Sequence, residues 1–500
     1  MKKSELLFDL IQSLTQSEKR FFKIYASRHT IGEQNNYVKL FECFDKKSSS
    51  DEKKLLRRIK KEGHSNYLPA EKNYLYNMIL ECLDIYHKDS SVERQISKLI
   101  NIARVLSEKK LDDQSNKIIE KAKALSEEHE RFENFIPIFS LQKNIGFNQD
   151  RMTAPELENN YQNIFLSINR LKVKMDYQKL FDSLLVQRRS SGPIRNAEEL
   201  NAIREKYATA FSQPPLHAQS LDAQVYFLLA RVEFTRITRD IEEGRRCSKE
   251  LFALFEANKK RIDHYIQPYA YLLNVFIVQR LYSSRKEADD ALSRLRTIAQ
   301  RVGPKVYTNE VRVKIWEIYY TCVTDIGISF RDYEYALSHM DTIKSDLEEY
   351  ERHMTPSFKL VLWSNIACVY FGAGNYKQAL KWSHEVVNES PGFREDIFYI
   401  TRVLYVLIHL ELGNQFILPS LLQSLYRYVY KKKRVYKFEN IFFNYLRLFL
   451  RAETKKEQRK LLKEFREELI PLQDNVFENL IFGDIDLVGW INRKLKNDHS

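Results

Sequence analysis

The stretch Leu360-Val-Leu-Trp-Ser-Asn-Ile-Ala-Cys-Val-Tyr-Phe-Gly-Ala-Gly-Asn-Tyr-Lys-Gln-Ala379 decides the fold of this chain. It begins with an uncharged run of 17 residues, 360–376, which contains polar and glycine positions. A membrane span needs ~20 mostly apolar residues, so this run predicts a buried helix instead. Gly374-Asn375 then supplies a turn, and the apolar spacing beyond it predicts a second helix that returns beside the first.

The same turn recurs along the second half of the sequence. Gly374-Asn375-Tyr376-x-x-Ala379 matches Arg331-Asp332-Tyr333-x-x-Ala336, which lies 43 residues earlier, and Gly413-Asn414 follows 39 residues later. The small residues Gly244 and Ala288 continue the series upstream. Small side chains at regular intervals let two antiparallel helices approach closely, as repeat arrays require. The spacing therefore predicts a series of helix pairs.

One of these units resembles a known family. The pattern Trp363-x-x-Ile366-Ala367-x-x-Tyr370, followed by the turn motif at 374–379 and by Pro391, resembles a single tetratricopeptide repeat over about 360–392. It departs from that repeat at Ser383, where an aromatic residue is usual, and at Val386, where alanine is usual. Elsewhere the resemblance is degenerate. It implies a right-handed α-solenoid of antiparallel helix pairs, and the alternative is an irregular helical domain with one chance match.

Composition favours an all-α chain throughout. Only 13 glycines and 12 prolines occur in 500 residues, whereas strand-and-turn folds use these residues at every corner. Nearly every segment has apolar residues at i, i+3, i+4 and i+7, which is typical of amphipathic helices. We expect a small helical domain at 1–90, a tetratricopeptide-like repeat array at 91–430, and basic and capping helices at 431–500.

The N-terminal region carries a second, shorter resemblance. Leu14-Thr15-x-x-Glu18-x-x-Phe21 resembles the opening helix of the helix-turn-helix domain in quorum-sensing-type regulators, over about a dozen residues. This resemblance implies contact with DNA. The alternative is a helix-capping pattern, because a threonine followed three residues later by glutamate forms a capping box.

The sequence lacks the common nucleotide-binding, metal-binding and nucleophile motifs. There is no G-x-x-x-x-G-K-[ST], no H-E-x-x-H and no G-x-S-x-G, and the 11 histidines do not pair at metal-ligand spacing. We therefore expect no enzyme activity, no cofactor, no small-molecule substrate, and no catalytic or metal-binding residue. The five cysteines are far apart without a C-x-x-C, and no signal peptide or membrane span is evident, which predicts a cytoplasmic protein away from the membrane.

A groove of the repeat array is the first predicted binding site. Tetratricopeptide proteins often place an asparagine that bonds a bound peptide backbone at the position of Asn365. The resemblance thus implies a groove for a protein or peptide that includes Asn365 and Phe371. For Asn365, a hydrogen bond between helices or a helix cap explains the residue equally well.

A basic segment near the C-terminus is the second predicted binding site. Residues 424–466 contain 14 lysines and arginines against four acids, so they hold +10 of the net +13 of the chain. Lys433, Lys437, Asn440, Asn444, Arg447 and Arg451 follow steps of four and three, which form one polar stripe on a helix. Four aromatic residues are expected to form the buried face opposite this stripe: Phe438, Phe442, Tyr445 and Phe449. Four tyrosines interleave the charges: Tyr426, Tyr428, Tyr430 and Tyr436.

The basic residues predicted to bind a polyanion or an acidic partner are Arg427, Lys431, Lys432, Lys433, Arg434, Lys437, Arg447, Arg451, Lys456, Arg459 and Lys463. Nucleic acid and an acidic protein surface fit this pattern equally, and a merely solvated helix face is the structural alternative. We therefore expect a non-enzymatic scaffold or adaptor that binds a macromolecule through the groove and the basic stripe. The alternative is a nucleic-acid-associated regulator with an N-terminal DNA-binding-like domain and a repeat sensor domain.

Overall fold

The structure, a computed structural model, consists of α-helices and short connections. It describes residues 3–28, 36–45, 68–88, 91–191, 194, 196–212, 220–259, 261, 265–301, 309–389, 394–431 and 436–497. These residues form 24 α-helices and no strand, which confirms the all-α prediction. No helix among them is both long and apolar enough to cross a membrane.

The chain divides into two compact units, 1–168 and 169–500. The helices that begin within the first unit are α1 (Lys3–Ser13), α2 (Gln16–Arg28), α3 (Asn36–Asp45), α4 (Leu68–His87), α5 (Val92–Glu108), α6 (Asp112–Glu128), α7 (Phe135–Asn148) and α8 (Ala154–Ser191). The boundary between the units falls inside α8, which lies within the range 91–430 predicted for the array.

The N-terminal motif has the geometry of a capping box. The Glu18 backbone N–H donates to the Thr15 hydroxyl over 3.3 Å, and the Thr15 N–H donates to the Glu18 carboxylate over 2.7 Å. This arrangement satisfies two unpaired N–H groups at the start of α2. The capping alternative therefore accounts for Thr15 and Glu18. The first unit has two hydrophobic clusters, one within 7–82 and one within 96–145, and the predicted boundary at 90 lies between them.

The remaining helices belong to the second unit. They are α9 (Ala197–Ser212), α10 (Leu221–Thr238), α11 (Ile241–Ala257), α12 (Ile266–Val278), α13 (Arg285–Arg301), α14 (Asn309–Ser329), α15 (Tyr333–Leu337), α16 (Met340–Tyr350), α17 (Pro356–Gly372), α18 (Tyr376–Asn388), α19 (Glu395–Glu411), α20 (Leu418–Lys431), α21 (Lys437–Arg451), α22 (Lys455–Leu469), α23 (Leu480–Asp484) and α24 (Leu487–Asn497). Pro391, which closes the motif in the sequence, lies outside the described residues.

The turn that recurs in the sequence has one recurring geometry. After α10, α14, α17 and α19 the chain passes through a residue with positive φ: Arg239 at 55°, Arg331 at 57°, Gly374 at 80° and Gly413 at 69°. In the first three turns the next residue, Asp or Asn, accepts an N–H of the following helix at 3.1–3.2 Å. A left-handed residue followed by an N-cap ends one helix and starts the next within two positions.

The C-terminal helices share the core of the helices before them. One hydrophobic cluster extends from Val313 to Ile491 and includes aromatic residues of α21 and α22 together with Trp490 of α24. The predicted boundary at 430 falls within this cluster. The described helices beyond it bury apolar residues in the same core as α17, α19 and α20.

Close helix approach at a small residue makes a testable prediction. A Cβ on Gly327 of α14 would lie 2.5 Å from the Ala336 Cβ and 3.1 Å from the Asp332 carbonyl oxygen. Gly327→Ala should therefore lower the free energy of unfolding by about 1–3 kcal/mol, because the two helices must separate. Gly483→Ala is the control, since its Cβ would meet nothing closer than 3.5 Å. Chemical denaturation of both variants checks this; equal stabilities would contradict the close packing.

Candidate macromolecule-binding surface

Asn365 lies between two helices. Its side chain is 8% exposed, and Nδ2 donates to the Thr324 hydroxyl of α14 over 3.0 Å. The Thr324 hydroxyl in turn donates to the Tyr320 carbonyl over 2.9 Å. A buried amide without a hydrogen-bond partner would destabilise the folded chain, and this bond avoids that cost. The interhelix alternative for Asn365 therefore matches its geometry, and the side chain is not presented to a ligand.

Phe371 is also inside the second unit. The ring is 2% exposed, and it lies 5.5 Å from the ring of Tyr376 and 6.5 Å from that of Trp490. The two residues of the predicted groove thus contribute to packing. Trp490 belongs to the C-terminal helix α24, so this chain supplies its own cover for Phe371.

The C-terminal segment Val476–Asp486 is held by three arginines from the ends of earlier helices. Arg239 donates to the Val476 carbonyl, Arg280 donates to the Gly483 carbonyl over 2.6 Å, and Arg331 donates to the Phe482 carbonyl over 2.8 Å. All three arginines occupy positive-φ positions just after α10, α12 and α14. These contacts could not be predicted from the sequence, although Arg331 belongs to the recurring turn motif.

Two aspartates are linked to this segment: the half-buried Asp484 lies within it, and the buried Asp325 contacts Arg280 through Ser329. The Asp325 carboxylate accepts from the Ser329 hydroxyl over 3.3 Å, and Arg280 donates to that hydroxyl over 3.0 Å. Burial raises the pKa of Asp325 to about 7, against the opposing charge of Arg280. Burial likewise raises the pKa of Asp484, at the end of α23, to about 6. The charge of Asp484 also contributes to raising the pKa of Asp325.

Another buried carboxylate is fully engaged within the second unit. Glu233 accepts from Arg188 Nε over 2.5 Å and from the Tyr271 hydroxyl, and Arg236 lies 3.9 Å away. A buried charge with several partners of this kind is structural. In the part of the chain that the structure describes, no group of three or more His, Cys, Asp or Glu side chains could hold a metal ion.

Helix α21 has the two faces that its sequence predicts. Phe438, Phe442, Tyr445 and Phe449 are all buried, which confirms the predicted apolar face. The polar positions of the opposite side are exposed: Lys437, Asn440, Asn444, Arg447 and Arg451. On the preceding helix α20, Arg427 and Lys431 are exposed as well. We call Arg427, Lys431, Lys437, Arg447 and Arg451 the basic face.

The remaining predicted basic residues are distributed differently. Lys456 and Lys463 are exposed on α22. Arg459 is half-buried and donates to the Leu495 carbonyl over 3.4 Å, so α24 engages part of its guanidinium. Three predicted residues lie outside the described residues: Lys432, Lys433 and Arg434.

The nearby acids are used for purposes other than neutralising the basic face. Glu439 is buried, where it accepts from the Tyr399 hydroxyl over 2.6 Å and from the Tyr436 N–H over 3.0 Å. Glu478 accepts the Lys437 and Phe438 N–H groups at 3.1 Å and caps α21. In the described part of the chain, the basic-face side chains form no ion pair.

Two tyrosines of α20 extend this surface. Tyr426 and Tyr430 are 37% and 65% exposed, and their rings stack with centroids 5.8 Å apart and an interplanar angle of 18°. The Arg447 guanidinium lies 5.9 Å from the centre of the Tyr426 ring, within the range of a cation–π contact. Tyrosines between basic residues suit nucleic acid as well as an acidic protein surface, as the sequence indicates, and the structure adds that two of these rings stack on each other.

No protein-family model, no curated protein and no solved structure matches this chain.

The buried Asp325 carboxyl predicts an unusual pH dependence of stability. Its folded pKa of about 7 exceeds the usual value of 3.8, so the folded state holds a proton that the unfolded state has lost between these values. The resulting stabilisation is fully present at low pH and is lost as the pH rises through about 7. As the pH rises from 5.5 to 8, deprotonation of this residue should lower the free energy of unfolding of the wild type by about 2 kcal/mol.

Asp325→Asn should make that decline smaller by about 2 kcal/mol, because the amide does not titrate, while Asp484 still contributes to it. Denaturant unfolding at several pH values measures the difference from wild type, in which contributions from histidines common to both proteins cancel. Asp474→Asn, which changes an exposed aspartate, is the control and should keep the wild-type slope. Identical slopes in wild type and Asp325→Asn would contradict the raised pKa.

Proposed function

We propose that this protein is a non-enzymatic scaffold that binds an acidic macromolecule through the basic face. The observation that carries the proposal is the set of five exposed cations on α20 and α21, of which none is paired within the described residues. Arg447 and Arg451 are four residues apart on one helix, and such like-charge pairs cost a few tenths of a kcal/mol. A binding role gives a reason for keeping that unfavourable arrangement.

The proposal includes a tetratricopeptide-like, right-handed α-solenoid for the helix pairs of the second unit. The recurring left-handed turn and N-cap support it, because a shared turn joins the helices of each pair in the same way. A scaffold of this kind presents helix faces on a rigid support. Since Asn365 and Phe371 are buried, the proposal assigns partner binding to the basic face and not to these two residues.

A cytoplasmic location remains part of the proposal. All five cysteines are buried free thiols, which suits a reducing compartment. The alternative function, a nucleic-acid-associated regulator, draws on the same basic face. The capping contacts of Thr15 and Glu18 explain these two residues without a contact to DNA, so they add no support for that alternative.

Binding to a generic polyanion tests the proposal. Labelled heparin should bind the protein with an affinity that falls steeply with salt, because cations of the basic face displace its counterions. Each lost contact with the polyanion should weaken binding about fivefold at 0.1 M salt. The double variant Arg447→Glu with Arg451→Glu should therefore bind at least about 20-fold more weakly. Fluorescence anisotropy measures both effects.

The matched control is Lys117→Glu with Lys121→Glu on α6. It makes the same change in net charge at the same spacing of four residues, on exposed positions of the other unit. This variant should keep nearly all of the wild-type affinity. If both double variants lose affinity equally, binding follows net charge alone and the basic face has no special role.

A further inference from the structure

Tyr430 presents an aromatic ring to solvent on α20, the helix that carries Arg427 and Lys431 of the basic face. The ring is 65% exposed, although α20 buries its apolar side elsewhere through Leu422, Leu425 and Val429. Tyr430 lies one helical turn beyond Tyr426, and the two rings are nearly parallel. Exposed Tyr430 therefore adds nothing to the core, and one of its ring faces is available to a ligand.

Tyr426 holds this pair in place. Its ring packs edge-on against the buried Phe443 of α21, with centroids 5.4 Å apart and an interplanar angle of 76°. Arg447 lies against the same ring from the next turn of α21. These contacts fix the inner ring, so the outer ring stacks on a rigid support. A preorganised aromatic platform loses little conformational freedom on binding.

Cations from both α20 and α21 accompany the platform. Arg427 and Lys431 flank Tyr430 in the sequence of α20, and Arg447 lies against Tyr426. Along α21 the cations from Lys437 to Arg451 cover about 21 Å at 1.5 Å per residue. Asn440 and Asn444, both exposed between them, add amide donors and acceptors. The surface thus combines a stacking face, unpaired positive charge and uncharged hydrogen-bonding groups.

We infer that the acidic partner of the basic face is single-stranded nucleic acid, with a base stacked on Tyr430 and phosphates bound by the surrounding cations. This inference rests on the proposed function and names its partner class. An acidic protein would satisfy the cations but supplies no regular planar group beside each charge. In a single strand every phosphate is followed by a base with a free face, whereas a duplex keeps its base faces stacked inside. Stacking of this kind tolerates any base, so the binding has no sequence specificity.

An abasic oligonucleotide separates stacking from charge. We would compare by anisotropy a fluorescent oligothymidine with an abasic oligomer of equal length, which has the same phosphates and no bases. The oligothymidine should bind at least about tenfold more tightly, as expected for one stacked base. Tyr430→Ala should remove this difference and leave the abasic affinity unchanged, while Tyr430→Phe, which keeps the ring, should preserve it.

The outcomes distinguish this inference from the proposed function. Equal binding of the two oligomers, or a preference for duplex DNA or polyglutamate over the oligothymidine, overturns the single-strand inference and leaves an acidic partner in place. Absence of salt-dependent binding to every polyanion, heparin included, overturns both. A tenfold preference that survives Tyr430→Ala overturns the assignment of stacking to Tyr430.

Discussion

The burial of the aromatic side of α21 is the interaction on which the functional account depends. The rings of Tyr445 and Phe465 stack 4.0 Å apart with an interplanar angle of 2°, and Phe438 and Phe442 pack into the same cluster. The aromatic residues occupy one face of α21 and the basic residues the opposite face. Burial of the aromatic face therefore leaves Lys437, Arg447 and Arg451 exposed. Of the nearby carboxylates, Glu439 is buried and Glu478 caps α21, so neither pairs with these cations. The positive surface is thus a consequence of core packing together with the use of nearby acids in helix capping.

The arginines of the second unit have two distinct roles. A count of charges does not distinguish between them. Arg239, Arg280 and Arg331 donate to main-chain carbonyl groups of the C-terminal segment, so their charges stabilise the folded chain. Arg447 and Arg451 have no such partner within the described residues. A guanidinium that binds a buried carbonyl contributes to stability, whereas an unpaired one is available to a partner. Only the long-range contacts reveal this difference. They leave the residues of the basic face, on α20 and α21, as the candidates for binding a partner.

Features governed by local spacing could be predicted from the sequence, and those that depend on distant segments could not. The helical class, the aromatic side of α21 and the capping geometry of Thr15 and Glu18 all follow from positions a few residues apart. The contacts of Arg280 and Arg331 join residues 203 and 151 positions apart, and no periodicity reveals such pairs. For the same reason the sequence did not reveal that Trp490 and its neighbours share one core with residues from Val313 onward. At the candidate site, exposure of the basic residues was predictable, but the stacking of Tyr430 on Tyr426 required the structure.

Photo-crosslinking tests the central claim, that the basic face binds single-stranded nucleic acid, most directly. A thiothymidine-containing oligonucleotide would be irradiated with the full-length protein, and the attached residues would be identified by mass spectrometry. The account predicts attachment at Tyr430 or at neighbouring positions of α20 and α21, and its loss when heparin competes. Attachment chiefly to helices α1–α4, or to no defined site, would contradict it.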